Sequence, residues 1–245
     1  MFGGIVLANK VIIFDIASKL AHFRKINTNS SSLTYLVPPR TTLLGIIGAM
    51  LGRERDSYYS DKNFMSLNVA VIPLSLNRTI TQGVNYLFIE SNKHLSNSNK
   101  HTQVPVEYLV SDKLVSYRVI LSGNELLIQE IKEKLISENY VYSLSLGPAY
   151  CLADIEYKGE YECLKIDTSD FIDIRSVVDK SSVEKIEFST NIYKEIMPYT
   201  FDKGRVVTTK GYIFSKDYNT ISLKIKSGQV FSVNIDGKKE YFSYM

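Results

Sequence analysis

A helix predicted at residues 41–51 constrains the fold more than any other part of the sequence. Its apolar side chains cover nearly the whole circumference, which is typical of a helix buried in a core. The proline pair at residues 38–39 holds the preceding chain extended, and the hydroxyl oxygen of Thr41 or Thr42 can cap the first turn. Gly52 follows the last apolar residue and predicts the end of the helix.

Two glycines inside this helix leave a stripe of its surface without side chains. Gly45 and Gly48 lie about one turn apart, and a glycine inside a helix costs up to about 1 kcal/mol relative to alanine. We therefore expect these glycines to serve close packing. The helix should lie across a central strand that contains residues 11–14.

The composition is that of a folded soluble protein with one large domain or two ordinary ones. The chain has 245 residues, of which 44% are apolar. The longest apolar run, residues 43–51, has about half the length that a bilayer crossing needs, and the first ten residues lack a signal-peptide pattern. Cys151 and Cys163 fit neither a disulfide framework nor a zinc site. We expect a cytoplasmic protein without membrane attachment, structural metal or cofactor.

Positive charge is concentrated near the start of the chain. The net charge is +3, but residues 1–55 contain seven lysines and arginines against two acidic residues, Asp15 and Glu54. The remainder of the chain is therefore slightly acidic. A local basic excess suits binding to a polyanion, and it is equally compatible with an ordinary solvated surface.

The hydrophobic pattern predicts strands and helices in an order that defines a fold class. The predicted elements are a strand at residues 11–16, a helix at 41–51, a strand at 67–76, extended segments at 85–90 and 104–110, a strand at 115–121, an amphipathic helix at 125–138 and a strand ending near residue 157. The two extended segments enclose a polar stretch, residues 91–103, and form a long hairpin. Without that hairpin the order is βαββαβ, the order of a ferredoxin-like (RRM-like) domain.

The last third of the chain has a different character. Short segments rich in β-branched and aromatic residues recur between glycine, aspartate and asparagine breaks, without helical periodicity. We therefore predict an α+β protein. Residues 1–158 form the ferredoxin-like domain, with an insertion at about 78–118, and residues 159–245 form a small antiparallel β domain.

The sequence contains no known catalytic motif, so the functional interpretation rests on individual residues. Each candidate also has an ordinary structural role: His22, His94 and His101 as polar loop residues, Tyr35 as a core aromatic, and Gly147 as a turn glycine. The functional alternatives are contacts to phosphate or base, base stacking, and close approach of a nucleic-acid chain. The candidate RNA-binding residues are His22, Arg24, Tyr35, Arg40, Thr41, Lys93, Lys100, His101 and Gly147.

Several of these residues belong to a pattern that resembles a known family. The pattern comprises Phe14-Asp15-Ile16, residues 21–24, Thr34-Tyr35, residues 38–45 and the glycine-containing helix to Gly52. It is similar to the N-terminus of the fifth family of CRISPR-associated proteins, and most similar to its type I-B-like branch. The turn at residues 145–147 is similar to the glycine loop of repeat-associated (RAMP) proteins, and the insertion at 78–118 lies where the family has a thumb-like hairpin.

The resemblance implies a noncatalytic subunit of Cascade, an antiviral CRISPR surveillance complex. Such a subunit caps one end of the complex and grips the 5′ handle of the CRISPR RNA. Its implied partners are the large subunit, the first backbone subunit and, through the complex, target DNA. Residues 91–103 are expected to wedge into this assembly rather than to cut RNA.

Two other functions remain open at this point. In a type I-C-like branch, the family member itself cuts the precursor RNA without metal, using a tyrosine, a lysine and a histidine. Tyr35, Lys100 and His101 offer those residue types in this sequence. The third possibility is an RNA-binding module outside any CRISPR complex.

Overall fold

The computed structural model describes residues 5–92, 100–167, 169–187, 191–202 and 204–245, with side chains from residue 9 onward. It is a mixed α/β protein rich in strands. The helices are α1 (Arg40–Leu51), α2 (Lys62–Met65) and α3 (Glu125–Ser137), with 3-10 turns at Ser57–Ser60 and Lys180–Ser182. The strands are β1 (Ile5–Ser18), β2 (Phe23–Arg24), β3 (Thr34–Tyr35), β4 (Asn68–Pro73), β5 (Arg78–Leu87), β6 (His101–Val110), β7 (Val115–Ser122), β8 (Ala153–Ile166), β9 (Ile172–Ile174), β10 (Val178–Asp179), β11 (Val183–Ile186), β12 (Ile192–Phe201), β13 (Val207–Ser215), β14 (Ile221–Ile225), β15 (Val230–Ile235) and β16 (Lys238–Phe242).

The main sheet has six strands in the order β16-β15-β8-β1-β7-β4, and all neighbours are antiparallel. Strand β1 lies inside the sheet, where Ile12 pairs with Leu121 of β7 and Ile16 pairs with Ile155 of β8. The expected central strand at residues 11–14 is therefore confirmed. Apolar side chains of α1 and α3 pack on one face of this sheet, and the other face holds a second core with Val11.

Helix α1 begins and ends as its flanking residues dictate, although the start differs from the prediction. Gly52 has a left-handed backbone with φ 71°, and it ends the helix as expected. The proposed threonine cap is wrong, because the helix already begins at Arg40. Pro39 occupies the capping position, no side chain caps the first turn, and Thr41 and Thr42 lie inside the helix.

The glycine stripe of α1 faces a different neighbour from the one expected. A Cβ atom placed on Gly48 would lie 3.1 Å from ring carbons of Tyr58, and one on Gly45 would lie 3.4 Å from the Tyr58 hydroxyl. The expectation that the glycines pack on the central strand is therefore wrong. Large side chains of the helix such as Leu44 belong instead to the core cluster that also contains Phe14 of the central strand.

Helix α3 confirms the predicted amphipathic segment. The side chain of Asn124 caps it by accepting a hydrogen bond from the backbone N–H of Leu127, at 3.3 Å. Leu127, Ile131 and Leu135 are buried, one turn apart on a single face. The apolar side is narrower than the sequence suggested, because Leu126 keeps 82% of its surface exposed.

Strands β5 and β6 form the long hairpin that interrupts the main sheet. They pair over ten residues, from Arg78 with Val110 to Leu87 with His101. Val106 and Leu109 are buried at the base of the hairpin. The hairpin is shorter than the predicted insertion, since residues 115–118 already belong to β7.

The rest of the chain forms two small sheets and completes the main one. The small sheets have the orders β10-β13-β12 and β11-β14-β9, whereas β15 and β16 extend the main sheet. The predicted boundary at residue 159 lies inside the continuous strand β8, so strands from both sides of it share one sheet. Strand β12 was missed because charged residues and Pro198 interrupt its apolar pattern. Proline is accepted there because β12 is an edge strand. In the described ranges, no helix is long and apolar enough to cross a membrane.

Candidate nucleic-acid interface

An open cleft of about 370 Å³ lies where three parts of the chain meet. They are the short ribbon β2–β3, the hairpin β5–β6 and the turn between residues 144 and 153. Backbone hydrogen bonds join the first two, from Ala21 N–H to the Leu109 carbonyl at 3.1 Å and from Glu107 N–H to the Ser32 carbonyl at 2.9 Å. The ribbon and the hairpin base therefore form one framework around the cleft.

His22 fastens this framework and lines the cleft. It is buried, with Nδ1 2.6 Å from the Glu107 carbonyl oxygen and Nε2 2.9 Å from the Ser32 hydroxyl. Burial lowers the pKa of His22, and the positive charge of Arg24 lowers it further, although the hydrogen bond to the Glu107 backbone opposes both effects. In the neutral ring, Nδ1–H donates to the carbonyl and Nε2 accepts from the hydroxyl. His22 is thus a neutral positioning residue and not a cation for phosphate.

Gly147 also lines the cleft, in a backbone conformation that only glycine adopts readily. Its φ is +109°, and a Cβ atom would lie 2.0 Å from the carbonyl oxygen of His22. The His22 N–H also donates to the Leu146 carbonyl at 3.0 Å. The glycine is therefore required by the protein's own backbone, and the exposed turn at residue 147 is held directly against His22.

Arg24 is the exposed cation of the cleft. Its Nη2 atom donates weakly to the Thr28 carbonyl at 3.3 Å, and no carboxylate pairs with it in the part of the chain that the structure describes. The neighbouring Lys25 is engaged, because its ammonium lies 2.7 Å from Glu195. Of the two adjacent cations, Arg24 can accept a new anionic partner.

Two tyrosines of the cleft were not singled out from the sequence. Tyr86 on β5 and Tyr150 in the turn are 49% and 60% exposed. The hydroxyls of Tyr150 and Tyr108 lie 2.8 Å apart, and the ring of Tyr108 is 5.7 Å from that of His22. The sequence signal that could have identified Tyr150 is its position three residues after Gly147. Exposed aromatic rings beside an arginine can hold unstacked RNA bases.

Tyr35 and Arg40 require correction as RNA contacts. Tyr35 is 1% exposed in the core, with no face open to a base. Arg40 is 2% exposed and donates to the carbonyls of Tyr199 at 3.2 Å, Met65 at 2.6 Å and Leu67 at 3.0 Å. Hydrogen bonds inside the protein therefore occupy its guanidinium. Arg40 is the first residue of α1, and this end of the helix lies under strands from the C-terminal part of the chain.

The remaining predicted residues do not join the cleft. Thr41 is buried inside α1. Lys100 and His101 are exposed at the outer end of the hairpin, where the Lys100 carbonyl accepts from Phe88 N–H at 3.0 Å. Lys93 lies outside the described residues, as does His94.

The three residues of the cleavage alternative are not brought together. Val106 forms a bridge with Ser32 beside the ribbon, and His101 lies five residues further out, roughly 17 Å along an extended strand. Tyr35 lies in the core. In the described ranges, no group of three or more histidine, cysteine or acidic side chains is arranged to hold a metal ion.

The same fold occurs in CRISPR proteins of known structure. A CRISPR protein from Archaeoglobus fulgidus superimposes with a TM-score of 0.57 at 12% identity, covering 97% of this chain and 100% of that one. A chain from a structure described as a CRISPR RNA-guided surveillance complex has a TM-score of 0.50 at 13% identity, covering 89% and 93%. No curated protein matches the sequence.

The family model described as CRISPR-associated protein (Cas_Cas5) matches residues 11–157. The match spans more than half of the chain, and the chain belongs to this family. The resemblance of the N-terminal sequence pattern to this family is thereby confirmed, and the type I-B-like branch stays a prediction.

Proposed function

We propose that the protein is a noncatalytic subunit of a type I, I-B-like Cascade complex that binds the 5′ handle of the CRISPR RNA. It acts in antiviral defence in the cytoplasm, between the backbone subunit and the large subunit, and meets target DNA through the complex. The observation that carries the proposal is the cleft, in which the exposed Arg24 lies with exposed tyrosines beside the Gly147 turn. Family membership and the fold shared with a chain of a CRISPR RNA-guided surveillance complex support it.

The cleft has the chemical groups that a single RNA strand requires. The guanidinium of Arg24 can hold a phosphate through two parallel hydrogen bonds. Tyr86 and Tyr150 offer rings on which bases can stack. Neutral His22 and the glycine at position 147 keep these groups in place without adding charge.

The hairpin β5–β6 is the proposed thumb of this subunit. Its outer part is exposed, including the apolar side chains of Leu87 and Ile89 at 57% and 49%. Lys100 and His101 lie at the same end. Apolar and basic groups on one projection suit a contact with the RNA and a protein subunit together, so we propose assembly, and not cleavage, as their role.

The sheet also supports a ferredoxin-like core. The four strands β8-β1-β7-β4 are neighbours in that order, with α1 between β1 and β4 in the chain and α3 between β7 and β8. This corresponds to the 4-1-3-2 antiparallel order of a βαββαβ domain. We propose that β15 and β16 are additions to such a domain.

Binding of handle RNA by Arg24→Gln tests the proposed cleft. The labelled 5′ handle of a CRISPR RNA from the same genome is titrated at several salt concentrations. We expect about tenfold weaker binding, because a charge-assisted phosphate contact is lost, and a salt slope reduced by roughly 0.7, the value for one phosphate contact on a single strand. Arg55→Gln, at a side chain that is 82% exposed, is the matched control. Equal losses in both variants would mean a general charge effect and would contradict the site.

An RNA cleavage assay with the purified protein tests the alternative that it is a nuclease. Purified protein is incubated with labelled precursor repeat RNA in EDTA, and we expect the RNA to stay intact. Cleavage at one position that His101→Ala abolishes, without loss of folding, would overturn the noncatalytic role.

A further inference from the structure

Two lysines lie on the exposed part of one face of the small sheet β10-β13-β12, next to the buried side chain of Ile213. Lys180 directly follows Asp179, which pairs with Tyr212, so Lys180 stands beside Gly211 of the middle strand. Gly211 in turn pairs with Ile196 on β12. Lys194 is two residues from Ile196 and therefore points to the same face, because side chains alternate along a strand.

Gly211 allows the two lysines to approach each other across the middle strand. A Cβ atom on Gly211 would lie 3.7 Å from both Cβ and Cδ of Lys180, so the stem of Lys180 lies over the bare backbone. Lys180 and Lys194 are exposed, and Ile196, which lies on β12 opposite Gly211, is 59% exposed. The face therefore presents two ammonium groups around an open apolar side chain.

Neighbouring carboxylates do not neutralise this pair. Asp179 binds Lys210 at 2.8 Å, and Glu195 binds Lys25 at 2.7 Å on the other side of β12. Among the described residues, neither Lys180 nor Lys194 forms an ion pair with an acidic side chain. The proximity and charge of Lys180 lower the pKa of Lys194. Two like charges held together cost free energy that a bound anion would offset.

We propose that Lys180 and Lys194 form a second nucleic-acid contact, outside the cleft, which holds phosphate groups of a strand's backbone. Two ammonium groups on one face match the repeating charge of a polyphosphate chain, and the open side chain of Ile196 leaves the approach free of other charge. The ion pair between Lys25 and Glu195 links β12 to the ribbon that carries Arg24. The site is independent of base identity, because ammonium groups contact phosphates as point charges.

The test uses Lys180→Gln, Lys194→Gln and the double variant with a labelled twenty-nucleotide oligouridine, which contains no handle sequence. We expect at least threefold weaker binding for each single variant. For the double variant the salt slope should fall by roughly 1.4, because about 0.7 counterions are released per single-strand phosphate contact. Lys238→Gln, at an exposed lysine of the main sheet, is the control for general charge. Losses no larger than those of the control would overturn the proposal.

A stability measurement separates the site from a structural role. In phosphate-free buffer of low salt, Lys194→Gln should raise the melting temperature, because it removes like-charge repulsion. A lower melting temperature would mean that the pair supports the fold and would contradict the anion site. Inorganic phosphate is titrated in parallel, and stabilisation by phosphate with unchanged oligouridine binding would overturn the nucleic-acid assignment. Binding of handle RNA by Arg24→Gln tests the cleft separately, so failure of one site is distinguishable from failure of the other.

Discussion

Gly147 has the most restricted position of any residue in the cleft. Gly147→Ala combines an unfavourable positive φ with a Cβ atom 2.0 Å from the His22 carbonyl oxygen. We expect a loss of more than about 3 kcal/mol in the free energy of unfolding, measured by urea denaturation.

Gly237→Ala is the matched control, because Gly237 has φ +80° with no atom within 4 Å of the added Cβ. It should cost only about 1 to 2 kcal/mol for the backbone conformation. Similar losses in the two variants would show that the approach to His22 contributes little.

Buried His22 makes the stability of the fold depend on pH. The pKa of His22 is lowered in the folded protein from its usual 6.5, chiefly by burial, so below that pH the unfolded chain binds more protons than the folded one. This contribution is present above pH 6.5 and is lost as the pH falls toward the lowered pKa. His22→Gln should show a smaller drop in melting temperature between pH 7.5 and about pH 5.5 than the unaltered protein. Parallel pH curves would contradict the neutral, buried histidine.

The glycines of helix α1 leave room for the aromatic ring of Tyr58, in the segment that follows the helix. Gly48→Leu should overpack against Tyr58, whose ring carbons lie 3.1 Å from the added Cβ, and cost about 1 to 3 kcal/mol. In a Tyr58→Ala background the same substitution should cost clearly less, as a double-mutant cycle by thermal unfolding would show. An unchanged cost in that background would place the strain elsewhere.

Helices α1 and α3 were predictable from sequence because their signals are local, whereas the short helix α2 was not predicted. Each helix has its own apolar periodicity. Gly52, which ends α1, and Asn124, which caps α3, lie directly next to the helix that they limit. The contact of the glycine stripe was not predictable. Tyr58 belongs to a polar segment with no hydrophobic periodicity. The sequence of α1 does not indicate which residue packs against its two glycines.

Arg40 connects distant parts of the chain within the whole molecule. Its guanidinium joins α1 to the carbonyls of Met65, Leu67 and Tyr199, the last 159 positions away. Local patterns cannot reveal such partners, so the charge of Arg40 and the ring of Tyr35 were assigned to a surface. His22, Arg24 and Gly147, which the family pattern marks, do lie together at the cleft, and their role in RNA binding stays a prediction.

Loss of Arg40 should therefore affect folding before RNA binding. Arg40→Ala leaves the carbonyls of Met65, Leu67 and Tyr199 without this donor, the Leu67 carbonyl in a buried site, and we expect a loss of about 3 kcal/mol in unfolding free energy. Arg53→Ala is the control, because its ion pair with Glu130 is partly exposed and should contribute less than about 1 kcal/mol. Denaturation of both variants checks this order, and comparable losses would contradict the internal role of Arg40.

At the scale of the whole assembly, we propose that the cleft beside Gly147 holds the 5′ handle of a CRISPR RNA. The most direct measurement places a photo-crosslinking phenylalanine analogue at Tyr150, irradiates the assembled complex and sequences the crosslinked RNA. The same analogue at Tyr142, which is 56% exposed outside the cleft, is the control. We expect crosslinks from position 150 in the handle and none above background from position 142. Crosslinks that fall in the guide region or the 3′ end, or that are equal from both positions, would contradict it.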